Sequence, residues 1–467
     1  MTFWTHESIR AASGGRWLAR PPERVEHHPA GVSIDTRTLA PGQVFVALAG
    51  DRVDGHEYLP QARDAGASMV LVERDDAPLP HGLPVAVVHD GRDALARLAR
   101  AYRAASPNLR VIGVTGSNGK TTATRLIDAV LSGSKRGSAS QKSYNNALGL
   151  PLTILNAGPN DQYVVCEMGM STPGEIAVLG RIAQPDVGVI TSIGRAHLEG
   201  LGSIEAIARE KASILEHVRG GGVGIIPAGA DVLERAIERI GSPRLVRVGT
   251  DDDADVRLTG VRPGARGVSF ELNGRAEFEV PLIGAHNAHN AAVAIAVGRR
   301  FGLDDDEIRA GLARVRAVPG RLERVTFGSR GSSVRVLNDA YNANPDSMLA
   351  AIGTLCEMKP AKGGRRVAIL GDMLELGEDS GPAHAEIARA IAGARGVHAA
   401  VLVGDAMGGA VGDAGEKATP GELASDTDAD RIAAMVEPGD VVLIKASRGV
   451  RLQRVTDALG RRVGARR

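Results

Sequence analysis

Short apolar runs bounded by Gly, Pro, Asn, Asp or Ser alternate along this chain with stretches whose apolar residues recur at helical spacing. In the first hundred residues the runs at 44–48, 69–72 and 85–88 predict strands, and 93–102 predicts a helix. A polar break at 104–108, carrying Pro107, precedes a strand at 110–114 that runs directly into a glycine-rich turn. Further strands are expected at 163–166, 187–191 and 222–226, with a helix over about 203–217 and a last helix from after His286 to near Phe301. A second break falls at 318–321, after which the alternation restarts with strands at 334–337, 367–370, 400–403 and 441–444. The pattern predicts an α/β protein of three domains, 1–105, 106–317 and 318–467, the central one a mainly parallel, doubly wound sheet. No period of solenoid length and no heptad seam is present.

Composition narrows the possible functions. With 467 residues, 43% hydrophobic and 24% charged, the chain is too long for one small binding module. Its 56 Lys and Arg nearly balance 55 Asp and Glu, so no general basic field attracts a nucleic acid and any polyanion must be gripped locally. Aromatic residues are only 3%, which argues against stacking platforms, while 59 glycines imply many tight turns. Two cysteines, Cys166 and Cys356, provide no disulfide framework and fit a reducing compartment. Residues 1–16 lack the plan of a signal peptide, and no apolar run reaches membrane-spanning length. A cytoplasmic, monomeric enzyme with no membrane span and no nucleic-acid partner is expected.

The segment 111–122 reads as strand, glycine-rich turn and helix start, with Thr115, Gly116, Ser117, Asn118, Gly119, Lys120 and Thr121 in the turn. Glycines let successive N–H groups face phosphate oxygens, and a helix N-terminus adds its dipole. Lys120 brings a point charge, and the Thr121 hydroxyl can ligate magnesium. Val114 stands where the usual phosphate loop has its first glycine. No guanine-reading Asn-Lys-x-Asp is found, so the expected nucleotide is ATP. Glu167 and His197 each follow a predicted buried strand, at the sheet edge where such folds place their sites. With Thr121 they form a candidate magnesium set, against the alternative of a solvated Glu and a structural His. Lys211 alone reads as a surface lysine, because an ammonium would repel a metal. Arg321, in Pro319-Gly320-Arg321 at the second break, is either a linker arginine or a charge that swings towards a transferring phosphoryl group. Segment 142–151, with Asn145 and Asn146, is by itself a polar connector. Segments 284–292 and 338–347 are polar helix starts, the first with Asn or His able to cap and the second with Asn344 or Asp346.

Taken together, the turn Thr115-Gly116-Ser117-Asn118-Gly119-Lys120-Thr121 resembles that of the Mur ligases, the ATP-dependent amide-forming enzymes of peptidoglycan precursor synthesis. Several segments extend the resemblance over essentially the whole chain. Glu210-Lys211-Ala212 is similar to a family motif whose lysine is commonly carbamoylated, which implies an anionic carbamate at Lys211 beside two magnesium ions. Asn145 and Asn146 lie in an Asn-Asn-x-x-Gly-x-Pro form that implies an acceptor-site border. Gly284-Ala285-His286-Asn287 implies that Asn287 lies near the adenine. Asn338-Asp339-Ala340-Tyr341-Asn342-Ala343-Asn344-Pro345 resembles the form found in the branch that adds D-alanyl-D-alanine. Asp339 would then face ATP, and Tyr341, Asn342 and Asn344 the peptide substrates. Segments 34–37, 41–45 and 50–56, with Thr36, Arg37 and Arg52, look like the uridine-nucleotide domain of these ligases. Segments 370–377, with His384 downstream, and 445–451 agree.

The resemblance therefore implies ligation of D-alanyl-D-alanine to UDP-N-acetylmuramoyl-tripeptide, with Lys120, His197, Lys211 and Arg321 catalytic. Pro227-Ala228 and Gln453 depart from the family form, which leaves their roles open. Two rival readings stand beside this one: the sibling ligase that adds the third amino acid, and a nucleotide-switched partner protein that makes no bond.

Overall fold

The computed structural model describes residues 3–22, 28–76, 80–141, 144–241, 243–329 and 333–464. Lys142 and Ser143, which begin the polar connector, lie outside the described residues. Three sheets organise the chain. The first has strand order Arg16–Ala19, Val85–Val87, Met69–Val72, Val44–Val46, Val32–Ser33, parallel except at Arg16–Ala19. Helix Gly91–Ala105 covers one face, with Asp90 accepting from the Asp93 N–H as its cap. The strand after it, Arg110–Thr115, is the spine of the second sheet.

That nine-stranded sheet runs Ala276–Val280, Val268–Leu272, Val256–Pro263, Arg244–Gly249, Val223–Pro227, Val187–Ile190, Arg110–Thr115, Tyr163–Glu167, Gly137–Ala139. Its members from Val256–Pro263 to Gly137–Ala139 are parallel, and the last three strands in sequence fold on as an antiparallel meander. The mainly parallel centre is as expected, since strands buried on both faces read as continuous apolar runs. Chain order reverses beside Arg110–Thr115, whose neighbours come from later strands on either side. Such a switch point opens a crevice at the strands' carboxyl ends.

The third sheet runs Glu323–Phe327, Val334–Asp339, Val441–Lys445, Arg366–Gly371, Ala399–Val403, Ala418–Gly421, antiparallel only at its first strand.

One expectation needs correction. Helix His286–Arg300 is not the last of the central block, because Asp305–Ala313 follows it and packs Ile308 and Leu312 into the same core. Its start is a capping box in which Asp304 and Glu307 exchange bonds with each other's backbone. Gly311 lets it approach helix Lys120–Leu131 closely, for a Cβ there would lie 2.6 Å from the Cα of Val130.

One apolar cluster continues through all three units, from Ile9 to Leu443. Polar bonds fix the first unit on the second. Arg103 is fully buried and pairs with Asp186 at 2.6 Å, while Asn156 exchanges bonds with the Val32 backbone and accepts from the Gln43 amide. Among the described residues, no helix is long and apolar enough to cross a membrane.

Candidate active site

A cavity of about 710 Å³ lies between the carboxyl ends of the central strands and the third unit. Three neighbouring strand ends supply its floor: the turn after Arg110–Thr115, Glu167 ending its own strand, and residues 191–197 after Val187–Ile190. The candidate residues gathered from distant parts of the sequence meet here for that topological reason.

The turn is held by its neighbours so that its backbone is free to face the cavity. Gly116 has φ +150°, and a Cβ there would fall 1.9 Å from Thr191 Oγ1, so only glycine fits. Thr115 lies behind the cavity, its carbonyl accepting from the Thr191 N–H and hydroxyl. Ser117 exchanges two bonds with the Gly194 backbone, each 2.9 Å. Gly119, at φ +83°, starts helix Lys120–Leu131 without a side-chain cap, so the N–H groups of the first turn have no intrahelical partner. Such a terminus suits a phosphate chain. Lys120 folds back over the turn, its Nζ donating to the Gly116 carbonyl at 2.6 Å. Burial pulls its pKa down, while nearby Glu167 opposes and Arg321 adds to that shift.

Glu167 is 2% exposed, not solvated. Its carboxylate accepts from Asn145 Nδ2 at 3.0 Å, and Gly169 donates to the Asn145 carbonyl, a close approach that the small residue allows. Thr121 lines the same wall and Asn146 the rim. His197 sits at φ +60° with Nδ1 2.5 Å from Glu375 of the third unit. Burial lowers its pKa first, then the charge of Lys120, with Glu375 opposing. Among the described residues no three His, Cys, Asp or Glu side chains form a metal cluster, so Glu167 and His197 need further donors.

Lys211 departs most from its bare-sequence reading. It is 1% exposed, on helix Ile204–Glu216, and its ammonium donates only to the Met170 thioether at 3.6 Å. Burial drives its pKa well below the ordinary lysine range, with Lys120 adding to the effect.

From the linker, Arg321 places its guanidinium 4.2 Å from the Tyr341 ring centroid, with Nε buried and lacking an acceptor among the described residues. Asp339 accepts from Lys445 Nζ at 2.7 Å and from the Leu322 N–H. Lys445 also donates to the Asn342 carbonyl, which fixes the loop carrying Tyr341 and Asn342. Asn344 caps helix Pro345–Glu357 as expected, whereas Asp346 serves elsewhere. No side chain caps His286–Arg300, contrary to expectation, because Asn287 instead turns its amide to the Ile283 carbonyl and accepts from Asn290. Thr36, Arg37 and Arg52 do not line this cavity. Arg37 is exposed and paired with Asp35 at 2.7 Å, in the first unit.

Sequence reading missed the contacts that join the second and third units. Asn118 in the turn accepts from Asn344 Nδ2 at 2.8 Å. Arg195 reaches Asp346 at 2.9 Å and Glu386 at 2.6 Å, and its own N–H donates to Asp346. No local pattern marks partners so far apart in the chain. Each of the partly exposed ion pairs of Arg195 contributes ~0.2–1 kcal/mol. Losing about 1–2 kcal/mol would shift a closed-to-open balance by roughly 5- to 30-fold. Arg195→Met should therefore enlarge the radius of gyration of the ligand-free protein in small-angle X-ray scattering. An unchanged scattering profile would sink this role.

Comparison with known proteins fits this geometry. Residues 28–103 match the family model described as Mur ligase family, catalytic domain; 114–298 match the Mur ligase middle domain; and 320–448 match the Mur ligase, glutamate ligase domain. UDP-N-acetylmuramoyl-tripeptide--D-alanyl-D-alanine ligase of Bacillus subtilis is 37% identical over 92% of this chain and 93% of its own length. The crystal structure of MurF from Acinetobacter baumannii superposes with TM-score 0.84 at 28% identity, covering 98% of each chain. MurF of Thermotoga maritima, solved in complex with ADP, superposes with TM-score 0.78 at 28% identity, covering 93% of this chain and 98% of that one. Three family models in chain order, together with a relative this similar across nine-tenths of the sequence, identify the lineage: the chain belongs to the Mur ligase family.

Proposed function

We infer that this protein joins D-alanyl-D-alanine to the terminal carboxylate of UDP-N-acetylmuramoyl-tripeptide, converting ATP to ADP and phosphate. The observation that carries this reading is the contact between Asn118 and Asn344. It sets the phosphate-type turn directly against the Asp339–Asn344 loop, whose form matches the D-alanyl-D-alanine-adding branch.

A carboxylate is a poor electrophile. Its oxygen therefore attacks the γ-phosphorus, ADP leaves, and the resulting acyl phosphate is attacked at carbon by the dipeptide amine. The amine loses its proton, phosphate departs, and an amide remains. In this reading the N–H groups from Ser117 to Thr121 cradle the phosphate chain, and Lys120 and Arg321 offset charge on the transferring phosphoryl group. Asn287 and Asp339 border the nucleoside. Asn145, Asn146, Tyr341, Asn342 and Asn344 border the joined peptides, and Thr36, Arg37 and Arg52 hold the uridine end. Water would hydrolyse the acyl phosphate, so the contacts made by Arg195 and Asn118 serve to keep the cavity closed around it.

The donor chemistry fits magnesium. Glu167 is a buried carboxylate in the cavity wall with no ion-pair partner among the described residues, and the Thr121 hydroxyl is a second hard oxygen. Thr121, Glu167, His197 and a modified Lys211 would hold the ions, which neutralise phosphate charge when bound. The modification follows from burial. A lysine amine with its pKa pulled far down is nucleophilic, and with carbon dioxide it gives a carbamate and a released proton. That converts a buried cation with no ion-pair partner among the described residues into an anionic oxygen donor. Two unpaired cysteines suit a cytoplasmic setting.

Purified protein given ATP, the UDP-tripeptide and D-alanyl-D-alanine is expected to release phosphate and form the pentapeptide. Turnover only with the UDP-dipeptide and a diamino acid would assign it instead to the sibling reaction. ATP binding without carboxylate-dependent phosphate release would indicate a switch protein.

A further inference from the structure

At the opposite edge of the central sheet lies a second cavity, of about 700 Å³. It is bounded by the first residues of three strands, Val223, Arg244 and Val256, so the whole length of the sheet separates it from the phosphate turn. Its size lies in the ~300–1,000 Å³ range of small-molecule sites. Its walls are aliphatic, from Leu215, Val218, Val246 and Ala296. Among the described residues no aromatic, hydroxyl or amide side chain lines it, so those walls offer few partners to the polar groups of a nucleotide or sugar.

The rim is strongly one-signed. Four guanidinium groups face one carboxylate, Glu216. Arg299 is committed to Asp305 at 2.9 Å and Arg300 to the Gly221 carbonyl at 3.0 Å. Arg219 and Arg244 are exposed and meet no acceptor among the described residues. In a chain whose net charge is +1, this is a local concentration of unspent positive charge over an apolar hollow.

Two helices connect this cavity with the active site. Helix Ile204–Glu216 carries Lys211 at its middle and ends at Leu215 and Glu216 in the cavity wall. Helix His286–Arg300 starts with His286, Asn287 and Asn290 at the active-site cavity and ends with Ala296, Arg299 and Arg300 here.

We propose that this distal cavity is a binding site for a single-chain carboxylate amphiphile, its unbranched tail among Leu215, Val218, Val246 and Ala296 and its head paired with Arg219 and Arg244. The aliphatic walls select a tail, and two guanidinium groups at the mouth, without an acceptor among the described residues, select an anionic head. The occupant cannot touch the reacting groups; of the two helices that reach the active site it meets only the far ends.

Decanoate titrated into the full-length protein in a calorimeter is the test. Saturable binding at one site is expected. In the Arg219→Glu, Arg244→Glu double variant, affinity should fall by about tenfold or more, with phosphate release under saturating substrates unchanged. Ala296→Phe, which fills the hollow, should abolish binding. If Ala296→Phe fails to fold, the exposed double charge reversal decides alone. No saturable binding by the unmodified protein, or the same affinity in the double variant, would overturn the assignment.

Discussion

Lys120→Ala should lose phosphate release by ~10³-fold or more while leaving the fold intact. Lys120 is the one ammonium on the turn, and its reach back to the Gly116 carbonyl holds the charge over the place where a phosphate chain meets the helix N-terminus. No neighbour can replace it. Arg321, over the Tyr341 ring, acts beside Lys120 rather than in its place, and Lys445 is committed to Asp339 and Asn342. Stability should move little, because the substitution removes a desolvated charge and exchanges it for a good helix former at the first helical position. A melting midpoint within about 2 °C of the unmodified protein corresponds to under ~1 kcal/mol. A variant rate within tenfold of the original would refute the assigned role, and so separate catalysis from folding.

Lys211→Ala should cost about 10- to 100-fold in turnover, as loss of a group supporting the metal does. Part of the activity should return on adding acetate or propionate. The reason is the mismatch between the site and a plain lysine. A fully buried ammonium without an ion-pair partner costs several kcal/mol; among the described residues Lys211 donates only to the Met170 thioether at 3.6 Å, and the charge of Glu210 offsets its burial in part. As a carbamate it would present two anionic oxygens, and truncation to alanine opens space for a short carboxylic acid to supply them instead. Phosphate release measured across an acid concentration series tests the idea. A normal rate in the variant, or a loss that no small acid relieves, would leave Lys211 as a packing residue.

Much of the fold was legible because central parallel strands carry their burial in their sequence. Tyr163–Glu167, Val187–Ile190 and Val441–Lys445 are buried throughout and read as apolar runs. The edges were not legible. Gly137–Ala139 is three small residues, and the edge strand Glu323–Phe327, like the interior but partly covered Arg244–Gly249, mixes charges with β-branched residues. The meander at 256–280 alternates by twos, as a half-solvated antiparallel sheet does, and breaks its register between Thr259 and Arg262.

The same contrast runs through the site. Turn 115–121, Glu167 and His197 each follow a readable strand, so local pattern located them. The burial of Lys211 was hidden because one lysine on an amphipathic helix looks the same whether it faces water or core. Arg195 gave no signal at all: its partners lie 151 and 191 residues further along, and only the packing of one unit on another pairs them.

The seat of Asp346 against Gly194 sets a tolerance for that packing. A Cβ at residue 194 would lie 2.3 Å from an Asp346 carboxylate oxygen, so a single methyl group there would press on the carboxylate that Arg195 holds. A small molecule lodged in this seam would need to make no contact with a reacting group to stop the enzyme.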